Sequence, residues 1–219
     1  MSTRGERYIP ALGYRWLTSL YDPVVRLTTR EAEFKPALVA QAGIRTGERV
    51  LDLACGTATL TLAAKRAQPM ADLHGIDGDA GILRLAAEKA SRLGLEIKLR
   101  QGLADALPYP DAYFDRALCS LFFHHLTRVS KRAALAELQR VLMPDGELHV
   151  ADWGEARDPL MRMAFFGIQL LDGFTTTADN VRGLLPQLMR EAGFSEVRET
   201  RRYATVFGTL SLYRARKPS

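Results

Sequence analysis

Between residues 48 and 153, short apolar runs alternate with segments of helical period, and few folds accommodate that alternation. "ERVLDLA" (48–54), "DLHGID" (72–77), "LEIKLRQG" (95–102), "FDRALCSLF" (114–122) and "ELHVADW" (147–153) read as strands. "TLTLAAKRA" (59–67), "GILRLAAEKASRLG" (81–94) and "SKRAALAELQRVL" (130–142) read as helices. In the second helix, Ile82, Leu85, Ala86 and Leu93 are expected on the buried face, with Gly94 as the stop. In the third, Ser130 is the expected N-cap, and Ala134, Leu135, Leu138, Val141 and Leu142 form the apolar stripe. "MPDG" (143–146) reads as a turn. A helix near 185–192 stops at Gly193. Beyond it, "EVRETRRYATVFGTLSLYRARK" offers two extended runs that meet at Gly208, with no room for a helix between them. Such runs pair as an antiparallel hairpin.

The expected fold is α/β: a Rossmann-like, doubly wound, mostly parallel seven-stranded sheet with an antiparallel C-terminal hairpin strand at its edge. At 219 residues, with 47% hydrophobic and 25% charged side chains, one domain spanning 1–219 is expected. Two segments stand outside the alternation. One is an N-terminal helical segment, 1–45, carrying Tyr8, Tyr14, Trp16, Tyr21 and Phe34. The other is an insert, 154–184, carrying Met161, Met163, Phe165, Phe166 and Phe174. Ligands of open α/β sheets sit beyond the C-terminal strand ends. Both segments are expected to cover that edge as lid or acceptor-pocket elements, or simply to pack their aromatics on the core.

The net charge of +5 and pI near 9.4 are spread evenly along the chain, with no basic tail, so no nucleic-acid partner is expected. Peripheral contact with an anionic membrane is compatible with this charge. No apolar stretch is long enough to cross a bilayer, and the N-terminus lacks the apolar core of a secretory signal. Cys55 and Cys119 form neither a disulfide framework nor a metal-ligand spacing, which suits a cytoplasmic protein without a metal.

"LDLACGTATL" (51–60) passes from strand to turn to helix, as a nucleotide-cofactor loop does, but keeps one glycine, Gly56. A pyrophosphate loop needs further glycines for close approach, and none is present. The loop carries an acid, Asp52, and no base; an acid there favours an ammonium or sulfonium ligand over a phosphate. Thr57 and Thr59 are expected to cap the helix that follows. Asp77 ends the second strand 21 residues after Gly56, near the offset at which an acid binds ribose hydroxyls. After the third strand, Leu103, Ala104 and Leu107 offer an apolar sandwich for a nucleobase, and the Ala104 N–H and Asp105 offer it hydrogen bonds.

The order V-L-D-L-A-C-G-T, I-D-G-D, Q-G-L-A-D-A-L-P-Y-P-D-A-Y-F-D, L-F-F-H-H-L, L-Q-R-V-L-M-P-D-G-E-L resembles the class I S-adenosylmethionine (SAM)-dependent methyltransferases over roughly residues 45–153. It is most similar to the small-molecule branch that includes the ubiquinone/menaquinone-biosynthesis C-methyltransferases. The resemblance implies SAM as cofactor, S-adenosylhomocysteine as product and a small-molecule acceptor. It implies that Asp52, Ala54 and Gly56 face the methionine part. Asp77 would hold the ribose, with Gly78 beside it and Ile82 nearby. Leu103, Ala104 and Asp105 would flank the adenine, and Ser120 and Leu121 would close the methionine side. Two departures stand out: Ala54 replaces the family's first glycine, and Leu103 replaces the acid that usually meets the adenine.

Methyl transfer requires alignment of donor and acceptor, and a base only for a protonated acceptor. His124, His125, Asp152 and Tyr21 are the candidates, with the two histidines preferred as catalytic groups because imidazole titrates near neutrality. His149, inside a strand, is expected to be structural. The alternatives are an NAD(P)-dependent oxidoreductase, which the missing glycines and Asp52 disfavour, and a non-catalytic SAM-binding or RNA-associated protein. Arg198, Arg201, Arg202, Arg214, Arg216 and Lys217 would serve the latter, but a solvated edge strand explains them as well.

Overall fold

The computed structural model describes residues 30–155, 179–180 and 182–219. Seven strands are present: β1 (Arg49–Leu53), β2 (Asp72–Asp77), β3 (Lys98–Gln101), β4 (Phe114–Ser120), β5 (Leu142–Trp153), β6 (Ser195–Thr205) and β7 (Gly208–Arg216). The helices are α1 (Glu31–Ala42), α2 (Thr59–Ala67), α3 (Ala80–Arg92), α4 (Arg128–Val141) and α5 (Leu185–Glu191). The sheet order is β3-β2-β1-β4-β5-β7-β6. β1 to β5 are mutually parallel, and β7 runs antiparallel to both β5 and β6. The α/β sheet expected from the alternation is therefore present. The antiparallel strand, however, lies inside the sheet, and β6 forms the edge. The reason is the hairpin: β7 pairs with β5 over seven positions from Glu147↔Arg216 to Trp153↔Leu210, which pushes its partner outward.

Alternating residues of each strand serve the two faces. Val50, Leu118 and Ala151 pack under α1 and α2, with Phe34, Leu38, Leu60 and Trp153. Leu51, Leu53, Cys119 and Val150 pack under α4 and α5, with Leu135, Leu138 and Met189. Each of the buried Val, Leu, Phe and Met side chains contributes roughly 1.5–3 kcal/mol of transfer free energy, which holds both helix layers on the sheet. Phe34 packs in the core rather than over the strand ends. Tyr8, Tyr14, Trp16, Tyr21, Met161, Met163, Phe165, Phe166 and Phe174 lie outside the described residues. Among those described, no helix is long and apolar enough to cross a membrane.

Several local expectations are corrected. α3 starts one residue earlier, with Asp79 accepting from the N–H groups of Gly81 and Ile82. Its buried face is Leu83, Ala86 and Ala90, while Leu85 and Leu93 are 39% and 42% exposed. α4 is capped by Thr127, whose hydroxyl accepts from the N–H of Ser130, so Ser130 sits inside the first turn. Its apolar stripe is buried as expected. "MPDG" lies within the bounds of β5 as an irregularity in its pairing: the register jumps from Phe114↔Leu142 to Arg116↔Glu147, and Asp145 takes φ 64. The hairpin cations are mostly matched: Arg202 with Glu199, Arg214 with Glu147, and Arg216 with Asp145 and Glu196.

Gly75 in β2 allows the close approach of the cofactor loop. A Cβ there would lie 2.9 Å from Cys55 Sγ and 2.8 Å from a Leu99 methyl. Gly75→Ala is expected to cost about 1–3 kcal/mol by overpacking. Urea unfolding checks this, and an unchanged midpoint would mean that the loop shifts freely.

Candidate functional site

The loops that follow β1 to β5 emerge at one edge of the sheet, because these strands are parallel. The first loop adopts left-handed backbone at three positions: Ala54 (φ 55), Gly56 (φ 55) and Ala58 (φ 59). Only one is glycine, so the two alanines carry about 1–2 kcal/mol of strain each. The loop is held by the Cys55 N–H donating to Ile76 O (3.0 Å) and the Ala58 N–H donating to Cys55 O (2.9 Å). Thr57 and Thr59 do not cap α2. Ala58 occupies the N-cap position without a side-chain bond, and Lys89 Nζ donates to the Thr59 hydroxyl at 2.6 Å. The left-handed turn points the hydroxyls toward α3 rather than toward the backbone of α2.

Asp77 ties this loop to β2. Its Oδ2 accepts from the Gly56 N–H and its Oδ1 from the Asp79 N–H, both at 3.0 Å. Burial pushes its pKa up, with the backbone donors opposing. A carboxylate has about four acceptor sites, so each oxygen keeps capacity for one more donor, as two vicinal hydroxyls require. Gly78 turns its carbonyl onto Gln101 Nε2 (3.0 Å), and Ile82 lies half-buried in the first turn of α3.

Asp52 points to the α2 side and is 1% exposed. The Thr61 hydroxyl donates to it at 2.6 Å. Burial raises its pKa to about 6, against the opposing effects of Thr61 and the Lys35 charge. A carboxylate desolvated to this degree gains most from a cationic ligand. A buried acid at the end of β1, a second acid over the same loop and a strand-end turn without a phosphate cradle fit the sulfonium, ammonium and ribose of SAM. Ser120 ends β4 half-buried, and Leu121 takes φ 53 with its N–H on Ala151 O (2.8 Å).

On the adenine side the expectation needs one correction. Leu107 is 4% exposed and packs in the main core, with its N–H donating to Glu137 at 2.6 Å, so it cannot flank a base. Leu103 is 51% exposed, Asp105 is exposed, and Ala104 lies half-buried against the core. Arg140 fixes this loop by donating to the carbonyls of Leu107 and Tyr109.

Across the sheet, at the ends of β4 and β5, Asp152 is fully buried. It accepts from the N–H groups of Phe122 (3.2 Å), Phe123 (2.7 Å) and Trp153 (2.7 Å), and from Asn180 Nδ2 (3.3 Å). His124 Nδ1 lies 2.7 Å from its Oδ1. Burial disfavours the charged carboxyl, but the His124 interaction and these donors outweigh it and hold Asp152 below the usual carboxylate range. An ionised Asp152 accepts only, so Nδ1 carries the proton and Nε2 is the basic nitrogen of His124. Asp152 is thus a holder of His124 and of the backbone turn, with no capacity left to act as a base itself. Burial and His124 push the His125 pKa down to about 3, so that ring is neutral at pH 7. Beside this network, Asp179 pairs with Arg128 and with Lys131, a lysine that is fully buried. His149 is structural: it is fully buried and bonded to Glu147 and Gln41. Sequence reasoning missed Asn180, Asp179 and Lys131, because no local pattern links residues 28 to 51 positions apart. Among the described residues, no three His, Cys, Asp or Glu side chains converge as metal ligands.

Comparison with known proteins agrees with this geometry. A methyltransferase-domain family model matches residues 50–146. The chain is 37% identical over 128 residues to the ubiquinone/menaquinone biosynthesis C-methyltransferase UbiE of Bordetella avium, covering 58% of this chain and 49% of that one. It thus spans about half the length of that relative. The UbiE protein of Paraburkholderia phymatum is 32% identical over 183 residues, covering 75% of this chain and 74% of its own. A SAM-dependent methyltransferase from Aquifex aeolicus shares the fold, with a TM-score of 0.67 at 22% identity over 91% of this chain and 96% of that one. None of these matches supports the oxidoreductase or RNA-associated reading. The chain belongs to the class I SAM-dependent methyltransferase family, with UbiE-type C-methyltransferases among its relatives.

Proposed function

We propose that this chain, as a single catalytic domain, transfers the methyl group of SAM to a small apolar or aromatic acceptor. The observation that carries the reading is the pair of carboxylates, buried Asp52 and half-buried Asp77, around one strand-end loop that lacks a pyrophosphate cradle. SAM, when bound, supplies an electrophilic methyl on a sulfonium. Asp52 balances the positive charge of the methionine end, with Ala54, Gly56, Ser120 and Leu121 around it. Asp77 takes the ribose hydroxyls, with Gly78 and Ile82 beside it. Leu103, Ala104 and Asp105 border the adenine, mainly through backbone and packing. His124 is the base for an acceptor that arrives protonated, because Asp152 fixes its tautomer; neutral His125 borders the same space. The names of the relatives favour a quinone-type ring as acceptor. Buried free thiols at Cys55 and Cys119 suit a reducing cytoplasm.

Calorimetric titration tests the reading. SAM and S-adenosylhomocysteine should bind and NAD(P)H should not; the reverse would sink it. The pH dependence adds a sign. SAM affinity should be level above pH about 6 and fall below it, by up to about tenfold per pH unit, as Asp52 takes up a proton. Without cofactor the sign is opposite. A folded-state pKa raised from 3.8 to about 6 means that Asp52 lowers stability as pH rises through that window, with no further change above it.

A further inference from the structure

The loop between β1 and α2 is held from two sides. Its first half is tied to β2: the Cys55 N–H donates to Ile76 O, and the Gly56 N–H donates to Asp77 Oδ2. Its second half meets α3. Lys89, half-buried in the last turn of α3, places Nζ 2.6 Å from the Thr59 hydroxyl and 3.4 Å from the Thr57 hydroxyl. The two hydroxyls stand 3.3 Å apart. Between them is Ala58, one of the alanines with left-handed backbone (φ 59). It is fully buried in a small cluster with Leu62, Ala86 and Ala90. A residue with a Cβ keeps such a backbone only where its surroundings impose it. α2 supplies no side-chain cap at this position. The ammonium of a lysine carries three donors, enough to hold the hydroxyls before and after Ala58 at once.

We propose that Lys89 is a positioning residue for the cofactor: by gripping the hydroxyls on both sides of Ala58, it holds the left-handed turn that keeps the Gly56 N–H on Asp77. This rests on the SAM reading above. Glycine takes the left-handed backbone at no steric cost, so a loop with glycine in this place would need no such clamp. In this glycine-poor loop a side chain from α3, 30 positions away from Thr59, supplies the constraint instead. Without the clamp, Ala58 relaxes toward ordinary backbone and the start of α2 shifts. Only a fraction of the molecules then presents the binding-competent turn, and the measured affinity falls by that fraction.

The test is a double-mutant cycle read by calorimetric titration with S-adenosylhomocysteine. Lys89→Met keeps the apolar stem, removes the ammonium and should weaken binding about tenfold. Ala58→Gly alone should stay within about twofold of the unmodified chain, and Ala58→Gly/Lys89→Met should recover most of the loss. Thr59→Val removes the gripped hydroxyl from the other side. It should give a loss like that of Lys89→Met, with no further loss when the two are combined. A lysine that only supports the fold would lower the urea midpoint and leave the affinity unchanged, or give a loss that Ala58→Gly does not restore. Either result overturns the proposal. If the unmodified chain binds neither SAM nor S-adenosylhomocysteine, it is the cofactor reading that fails.

Discussion

Asp152→Ala should lower folding stability by about 3–5 kcal/mol, the cost of removing one partner from a fully buried charged network. Five donors converge on this carboxylate: His124, Asn180 and the N–H groups of Phe122, Phe123 and Trp153. Alanine would leave them buried and unpaired. Urea unfolding at neutral pH measures the loss, and a change under about 1 kcal/mol would show that the donors find other acceptors. His124→Gln, which replaces the imidazole by an amide and keeps the carboxylate, should cost less. The pH dependence follows from the sign of the shift. Asp152 titrates below its ordinary 3.8 in the folded chain, so its contribution is fully present above that value. It is lost only as pH falls through the folded-state pKa. An acid unfolding transition displaced to higher pH in Asp152→Asn is the expected result.

Asp77→Ala should weaken SAM binding tenfold or more, since two charge-assisted hydrogen bonds to a ribose are worth roughly 1.5–3 kcal/mol or above. The structure adds a second consequence. The same carboxylate holds the Gly56 and Asp79 N–H groups, so its loss also frees the turn between β1 and α2. Asp77→Asn retains an acceptor oxygen and should fall between wild type and alanine. Calorimetry with S-adenosylhomocysteine separates the three. Equal affinities would remove Asp77 from the binding site.

How much of this was legible in the sequence differs by feature. The helix at Thr59–Ala67 and the strand at Asp72–Asp77 match their expected limits, because period and offset are local properties. The apolar stripe of α4 is buried to the last residue for the same reason. The buried face of α3 is Leu83, Ala86 and Ala90 rather than the Leu85 side, because docking on the sheet and not periodicity decides which face of the helix is covered. The cofactor loop looked like a turn with one flexible residue. It is a turn with three left-handed positions, two of them filled by alanine. Composition cannot reveal that, because alanine takes such a backbone only when its surroundings force it.

The sequence by itself determined the order of strands and helices and the offset that sets Asp77 over Gly56, since both depend on residues close in the chain. The tertiary structure alone decided what surrounds those groups. It placed β7 inside the sheet and brought Asn180 onto Asp152 across 28 positions. It also set Lys35 within electrostatic reach of Asp52 and turned Leu107 into the core. These contacts depend on the docking of whole elements, where burial outweighs local preference, and no short stretch of residues records the outcome.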